Sequence, residues 1–516
     1  MALNNLNITT STNLINHVRP VFRPIPTAGV AFDSCDVAQK SDIARNGFGV
    51  DGTGIKIGVI SNSYNKQLGN PALTDVLNDD LPGTGNPNGN TTPVQVLQDY
   101  PYGVQTDEGR AMLQIVHDVA PKANLAFSTG FISAGHMAKK IKDLQIAGCN
   151  VICDDITYIT EPFFRDGMIA QAVDYVNGLG ASYWTSAGNY GNLSYEGIYT
   201  PTAAPGSIVG TAHDFGGGDR FQSISLTPGS YLIVLQWEDE FYSIDQLPVG
   251  TANDLDIYLT YDNGITLFGF NRNNIGGDPF EVLPFTVTQN TSTNILITRE
   301  TGTGSNVHFK YVVFSGSPTI NEFNTGNYST IVGQANALGA VTTGAVLYRN
   351  TPAFGISPPT KASFSSIGGT LTYGVPRNKP DLCAPNGGNT TVQLGAPNID
   401  GDLFPNFFGT SAAAPHGAGI AALLLHAKNK FYGTTLTPAQ VRSIVTSTAT
   451  DMYTPGFDYL SGYGLINADA ALRTMAAPTP VLLSLSPIPP TPLHPLDTVH
   501  SFTLTVTANY ITTQSQ

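Results

Sequence analysis

The chain has 516 residues, with 24 Lys and Arg against 38 Asp and Glu, for a formal charge of −14. That balance argues against nucleic acid and anionic membranes as partners. The length suits about three domains rather than one. Four cysteines, Cys35, Cys149, Cys153 and Cys383, are too few to staple a chain of this size. Cys149 and Cys153 lie in an apolar run and read as small buried hydrophobes. No Cys/His spacing has the form of a zinc site, and no apolar run approaches the roughly 18 residues of a membrane span.

Residues 1–45 are polar and without periodicity, and read as a leader or pro-segment remnant. Asp42–Arg45 begins a short helix or turn. A buried strand follows over 55–60, then a helix over 108–118, a strand over 123–127, a helix over 134–147, a strand over 151–153, a helix over 167–178 and a strand over 182–185. Apolar strands alternating with helical patterns predict a parallel sheet in an α/β domain. The pattern changes near residue 211. Short alternating runs such as Ser230–Leu235, Asp256–Leu259 and Asn294–Thr298, separated by Gly, Asn and Asp turns, predict an antiparallel β-sandwich over 211–317. From 318 to 476 the α/β character returns, with strands expected at 335–346 and 362–366 and helices from Ser411 and over 438–445. A Pro-rich linker and the start of a truncated β-domain occupy 477–516.

The chemistry concentrates in Gly409-Thr410-Ser411-Ala412-Ala413-Ala414-Pro415-His416-Gly417-Ala418-Gly419. It sets a hydroxyl at the mouth of an apolar helix, where unpaired N–H groups and the positive end of the dipole can meet an oxyanion. This run resembles the nucleophile motif of subtilisin-like serine proteases. Trp184–Asn189, Ala362–Ser366, Lys379–Pro385, Gly462–Ala468 and Val119–Pro121 resemble further blocks of the same family, in order. The resemblance covers about 50–205 and 320–475 and implies a subtilisin-like α/β fold, a parallel sheet flanked by helices, with the β-sandwich inserted. The insert resembles pre-peptidase C-terminal modules of bacterial proteases, and the tail faintly resembles an immunoglobulin-like TIG domain. The resemblance implies Ser411 as nucleophile and Asn189 as oxyanion donor.

The rest of the triad departs from that family. Where its aspartate is expected, after the first strand, this chain has Ser61 or Asn62, depending on a one-residue shift. Where its histidine is expected stands Glu108, in Asp107-Glu108-Gly109-Arg110. His117 lies nine residues on, on the opposite side of the helix, and His416 belongs to the serine motif, where the family uses it structurally. A glutamate base beside such a serine resembles the sedolisin arrangement, which implies an enzyme active in acid. Sedolisins place an aspartate four residues after the glutamate, where this chain has Met112, and use aspartate where it has Asn189. A carboxylate acts as base if burial or a second carboxylate raises its pKa. The best candidate for that second group is Asp155, in Val151-Ile152-Cys153-Asp154-Asp155, with Asp154 and Asp107 as alternatives.

The expected function is a serine endopeptidase acting through an acyl-enzyme on protein or peptide substrates. The alternative is a pseudoprotease, a binding or adhesion module that has lost its base. No cofactor is expected. Asp400-Gly401-Asp402 and Asn253-Asp254-Leu255-Asp256 have the composition of calcium ligands but not a distinguishing motif. A third reading has the β-sandwich binding a polymer or cell surface. Low charge (12 %), 54 Gly and 35 Pro suggest an extracellular or periplasmic protein. Met1-Ala2-Leu3-Asn4-Asn5 is no signal peptide, so the leader is expected to have been removed.

Overall fold

The computed structural model describes residues 30–476 except 32, 207, 246–248, 303–305 and 327, together with 6–7 and 503–504. The early leader and nearly all of the Pro-rich tail therefore lie outside the described residues. The first half alternates as its apolar runs require: β1 (Lys56–Ser61), β2 (Gln95–Gln98), α1 (Glu108–Val119), β3 (Asn124–Thr129), α2 (Ala134–Ile146), β4 (Val151–Asp154), α3 (Met168–Gly178) and β5 (Ser182–Ser186).

Antiparallel pairing then takes over. One sheet runs β10–β8–β12–β6 across space, from β6 (Ser194–Ile198), β8 (Gly229–Trp237), β10 (Phe280–Val287) and β12 (His308–Ser315). The other is centred on β7 (Gln222–Leu226), β9 (Asn253–Thr260) and β11 (Thr291–Gly302). Ile224, Ile257 and Ile297 of one sheet share an apolar core with Ile233, Leu283 and Phe309 of the other. Strand alternation puts a second set of side chains on the outer face of each sheet. In β8 and β12 that second set is largely buried as well.

The chain then returns to the first sheet through β13 (Ala340–Leu347) and β14 (Leu382–Asn386), followed by α4 (Thr410–Tyr432) and α5 (Pro438–Ser447). The completed sheet is seven-stranded and parallel, in the order β14–β13–β5–β4–β1–β3–β2. Side chains of α1 and α4 fill the core on one face, and those of α2 and α3 fill it on the other. The α4 helix is apolar nearly all round and buried from Thr410 to Leu425, as a central helix must be.

Two expected strands are corrected. The one expected over 335–346 begins at Ala340, because Gly333–Asn336 forms a 3-10 turn. Residues 362–366 form a turn instead of a strand. Ala345 N–H there donates to the Ser365 hydroxyl (3.1 Å), so a side chain stands where a ladder carbonyl would be. Within the stretch read as leader, Ser34–Ala38 and the first part of Ser41–Phe48 are helical. Arg45 binds both carboxylate oxygens of Asp36, at 2.6 and 2.7 Å, and Ala44 and Phe48 join the main core.

Candidate active site

Functional groups converge at the carboxyl ends of β1, β4 and β5. Here β1 lies between β3 and β4, and the chain leaves it in opposite directions across the sheet. Open α/β sheets bind ligands at such a crossing point. Ser411 is the second residue of α4, 8 % exposed. Its N–H is one of those a helix start leaves without an intrahelical acceptor. Gly409, ahead of the helix, has φ +108°, a conformation that glycine alone adopts readily.

Asn189 is exposed, and its amide oxygen is anchored. That oxygen accepts from Thr410 N–H (2.9 Å) and the Thr410 hydroxyl (3.0 Å). The same hydroxyl accepts from Gly188 N–H at 3.1 Å. Thr410 thus ties the loop after β5 to the start of α4 and leaves Asn189 Nδ2 directed at the helix mouth. A Cβ on Gly409 would stand 3.2 Å from that nitrogen.

The Ser411 hydroxyl and the carboxyl of Asp155 both lie near enough to the Glu108 carboxylate to act on its charge. Asp155, one residue beyond β4, faces Glu108 and Ser61. Burial pushes the Glu108 carboxyl up, although the contacts with Asp155 and Ser411 lower it. Burial and then the Glu108 charge push Asp155 well above the carboxylate range, with Ser61 opposing. Asp155 Oδ1 and Ser61 Oγ each lack a partner of full hydrogen-bond geometry. Two ionised carboxylates are both acceptors only, so a good bond between them needs a proton. No Arg or Lys is among the main influences on either carboxyl.

The other candidates serve to position this pair. Of the two residues at the expected aspartate position, Ser61 faces Asp155, while Asn62 works on the backbone. Its amide oxygen accepts from Glu108 N–H at 3.0 Å and its nitrogen donates to the Thr106 hydroxyl at 2.5 Å. Asn62 therefore fastens the first residue of α1. Asp107 turns away from the site. Its carboxylate accepts from the Ser63 hydroxyl (2.7 Å), Lys66 N–H (2.7 Å) and Gln67 N–H (3.0 Å). Asp154 is buried beneath the site and accepts from Ile156 N–H (3.2 Å) and Gln334 Nε2 (3.1 Å). Burial lifts its carboxyl to about 6 against the hydrogen bonds of Tyr183, Gln334 and Thr185. Gln334 also donates to the Ile156 carbonyl, so Asp154 and Gln334 fix the turn that carries Asp155. Nothing in the sequence signalled Gln334, 180 residues from Asp154 along the chain.

His117 is buried 3.7 Å from Asp79, remote in function from the site. His416 places its ring nitrogens 2.7 Å from the Ala412 carbonyl and 2.6 Å from Asp33. With Cys35, these form a group of three buried residues with metal-ligand chemistry, but the His416 ring is already taken up by protein oxygens. Asp400 and Asp402 likewise accept from Tyr348, Arg349, Asn406 and Asn389. Asp254 accepts from Asn274 N–H at 3.0 Å.

The profile of the subtilase family matches residues 88–464. The chain belongs to this family. Subtilisin NAT of Bacillus subtilis subsp. natto is 35 % identical over 153 residues, which are 30 % of this chain and 32 % of that protein. Fervidolysin of Fervidobacterium pennivorans is 40 % identical over 77 residues, 15 % of this chain and 10 % of that one. The chain therefore spans a third or less of those two relatives. The solved CspB protease of Clostridium perfringens aligns over 86 % of this chain and 98 % of its own, with a TM-score of 0.52 at 15 % identity, and shares the fold. The subtilase match includes Glu108, Asp155, Asn189 and Ser411 and begins beyond β1, which carries Ser61 and Asn62.

Proposed function

We propose that this chain is a serine endopeptidase whose base is a carboxyl pair, Glu108 with Asp155, in place of histidine with aspartate. The observation that carries the reading is the position of Glu108 at the start of α1, near enough to the Ser411 hydroxyl and to Asp155 for both to act on its carboxyl. Ser411 Oγ attacks the peptide carbonyl carbon as Glu108 takes its proton. Asn189 Nδ2 and the Ser411 N–H stabilise the oxyanion. The proton passes from Glu108 to the departing amine, and water then hydrolyses the acyl-enzyme by the same route reversed. Asp155 keeps one proton on the pair and so limits the charge buried beside the serine.

The scaffold reading rests on the missing histidine. The occupied Glu108–Asp155 position favours catalysis instead, since a carboxylate with a raised pKa is a competent base. Protein or peptide substrates follow from the reaction. We place the protein in an extracellular or periplasmic setting on its composition. Among the described residues no helix is long and apolar enough to cross a membrane. A serine-directed phosphonate tests the proposal. Labelling at Ser411 in the wild type, lost in Glu108→Gln, supports it. Equal labelling of both proteins removes Glu108 from the mechanism, and none in either at any pH from 3 to 9 returns the chain to a scaffold.

A further inference from the structure

The outer face of the β10–β8–β12–β6 sheet is packed against the active-site wall. Val234 of β8 and Val312 of β12 are buried against Phe163, Phe164 and Val332, with Ile159, Tyr190, Val282 and Phe314 closing the cluster. The segment 156–164 runs on directly from Asp155. Gln236 of β8, fully buried, accepts from Phe163 N–H (2.8 Å) and donates to the Glu161 carbonyl (3.0 Å). The sheet thus supplies backbone partners to a segment that has left its own sheet, which buried polar groups require.

Tyr190 joins this contact to the chemistry. It follows Asn189, and its hydroxyl lies near Thr157, two residues past Asp155. Its ring folds back over Gly188, where a Cβ would come within 2.7 Å of it. The ring therefore bridges the chain ends leaving β4 and β5. Phe314 meets Tyr190 edge-on, with ring centroids 4.8 Å apart at 69°. Phe163 backs Phe314 at 6.0 Å.

A bound peptide must run past these chain ends. Its scissile carbonyl lies between Ser411 and Asn189 Nδ2, and its leaving amine faces Glu108, which protonates it. The side chain of the residue giving up the carbonyl then falls on the Asn189 side, between the ends of β4 and β5. We propose that Tyr190 is the specificity-determining residue of this site: held by Phe314 of the antiparallel sheet, it closes the recess so that only small side chains such as Ala or Ser fit there. This inference rests on the endopeptidase reading. It makes the antiparallel sheet a wall of the substrate cleft. Hydrophobic recesses discriminate by volume, about 10- to 200-fold for a methylene, so a filled recess against a whole aromatic side chain lies at least at that scale.

The test uses the full chain and two fluorogenic peptides that differ only in the residue before the cleaved bond, Ala or Phe. Wild type is expected to favour Ala by about 10-fold or more in kcat/KM. Tyr190→Ala should erase or reverse that ratio, and Phe314→Ala should move it the same way by less. Tyr190→Phe and Phe314→Leu should retain it. A ratio unchanged in every variant, or a wild type that prefers Phe, overturns the proposal. The same peptides are titrated into Ser411→Ala and Ser411→Ala/Tyr190→Ala proteins. A binding preference for Ala lost in the double variant, without wild-type hydrolysis, upholds the recess and refutes the peptidase. Hydrolysis with no change in selectivity does the reverse, and neither hydrolysis nor binding overturns both.

Discussion

Two carboxylate clusters are buried about the wall that joins the sheets, and they meet opposite fates. Glu196 of β6 lies 2.8 Å from the ammonium of Lys310 and 2.9 Å from His308, and accepts from the Ser329 hydroxyl at 2.6 Å. Lys310 donates onward to Ser329 and Thr370, the latter at 2.7 Å. Burial pushes Glu196 up, but the Lys310 charge and these hydrogen bonds outweigh it and hold the carboxyl at about 2. No cation is among the main influences on Glu108 and Asp155, and both are pushed up. The same kind of group in a similarly dry place is held ionised where a cation balances it and is pushed toward its protonated form where burial dominates.

The sharpest way to break this contrast is to remove its chemical end. Ser411→Ala should lower kcat on the order of 10⁶-fold, a magnitude known from subtilisin itself, and Glu108→Gln should come near it. Steady-state peptide hydrolysis reads both. Removing the structural end should act on stability instead. Lys310→Met leaves Glu196 buried with His308 alone, at a cost of up to about 3–5 kcal/mol in denaturant unfolding. Because the folded pKa of Glu196 is depressed, its pairing stabilises above the ordinary glutamate range and is lost as pH falls toward 2, so the deficit should shrink in strong acid.

Asn189→Ala removes an oxyanion donor and should lower kcat about 100- to 1000-fold with a smaller change in KM. The smallest effect concerns the stability of the uncompensated pair. Asp155→Asn should raise Tm at neutral pH. The folded pKa of Asp155 is raised, so wild type and variant should unfold alike below the ordinary aspartate range. The wild type then loses ground as pH rises through the raised value. A Tm gain that is equal at pH 3 and pH 8 would mean that Asp155 carries no uncompensated charge.

Much of this arrangement was legible in the sequence. The alternation of apolar strands with helices located the parallel sheet, and Gly409–Gly419 located the start of the central helix α4, because both are local patterns. Asp155 was legible only as a charged pair ending an apolar strand. That it meets Glu108 depends on β4 lying beside β1, a pairing between residues about 90 apart. At the one-residue ambiguity after β1 the structure distinguishes the two side chains by the pleat: Ser61 faces the acids and Asn62 caps Glu108. The double burial of β8 and β12 was hidden for a similar reason. Alternation marks one apolar face and leaves the polar Gln236 and Lys310 on the other, where the structure buries them.

The measurement that tests the central claim most directly is the pH dependence of kcat/KM for a single peptide, from pH 3 to 9, in wild type, Glu108→Gln and Asp155→Asn. One shared proton on two acids predicts a bell with its maximum in acid. It also predicts near-complete loss in Glu108→Gln, and in Asp155→Asn a lower profile without the basic limb, because only Glu108 is left to titrate. A wild-type optimum above pH 8, or activity that survives Glu108→Gln, would contradict a carboxyl pair as the base.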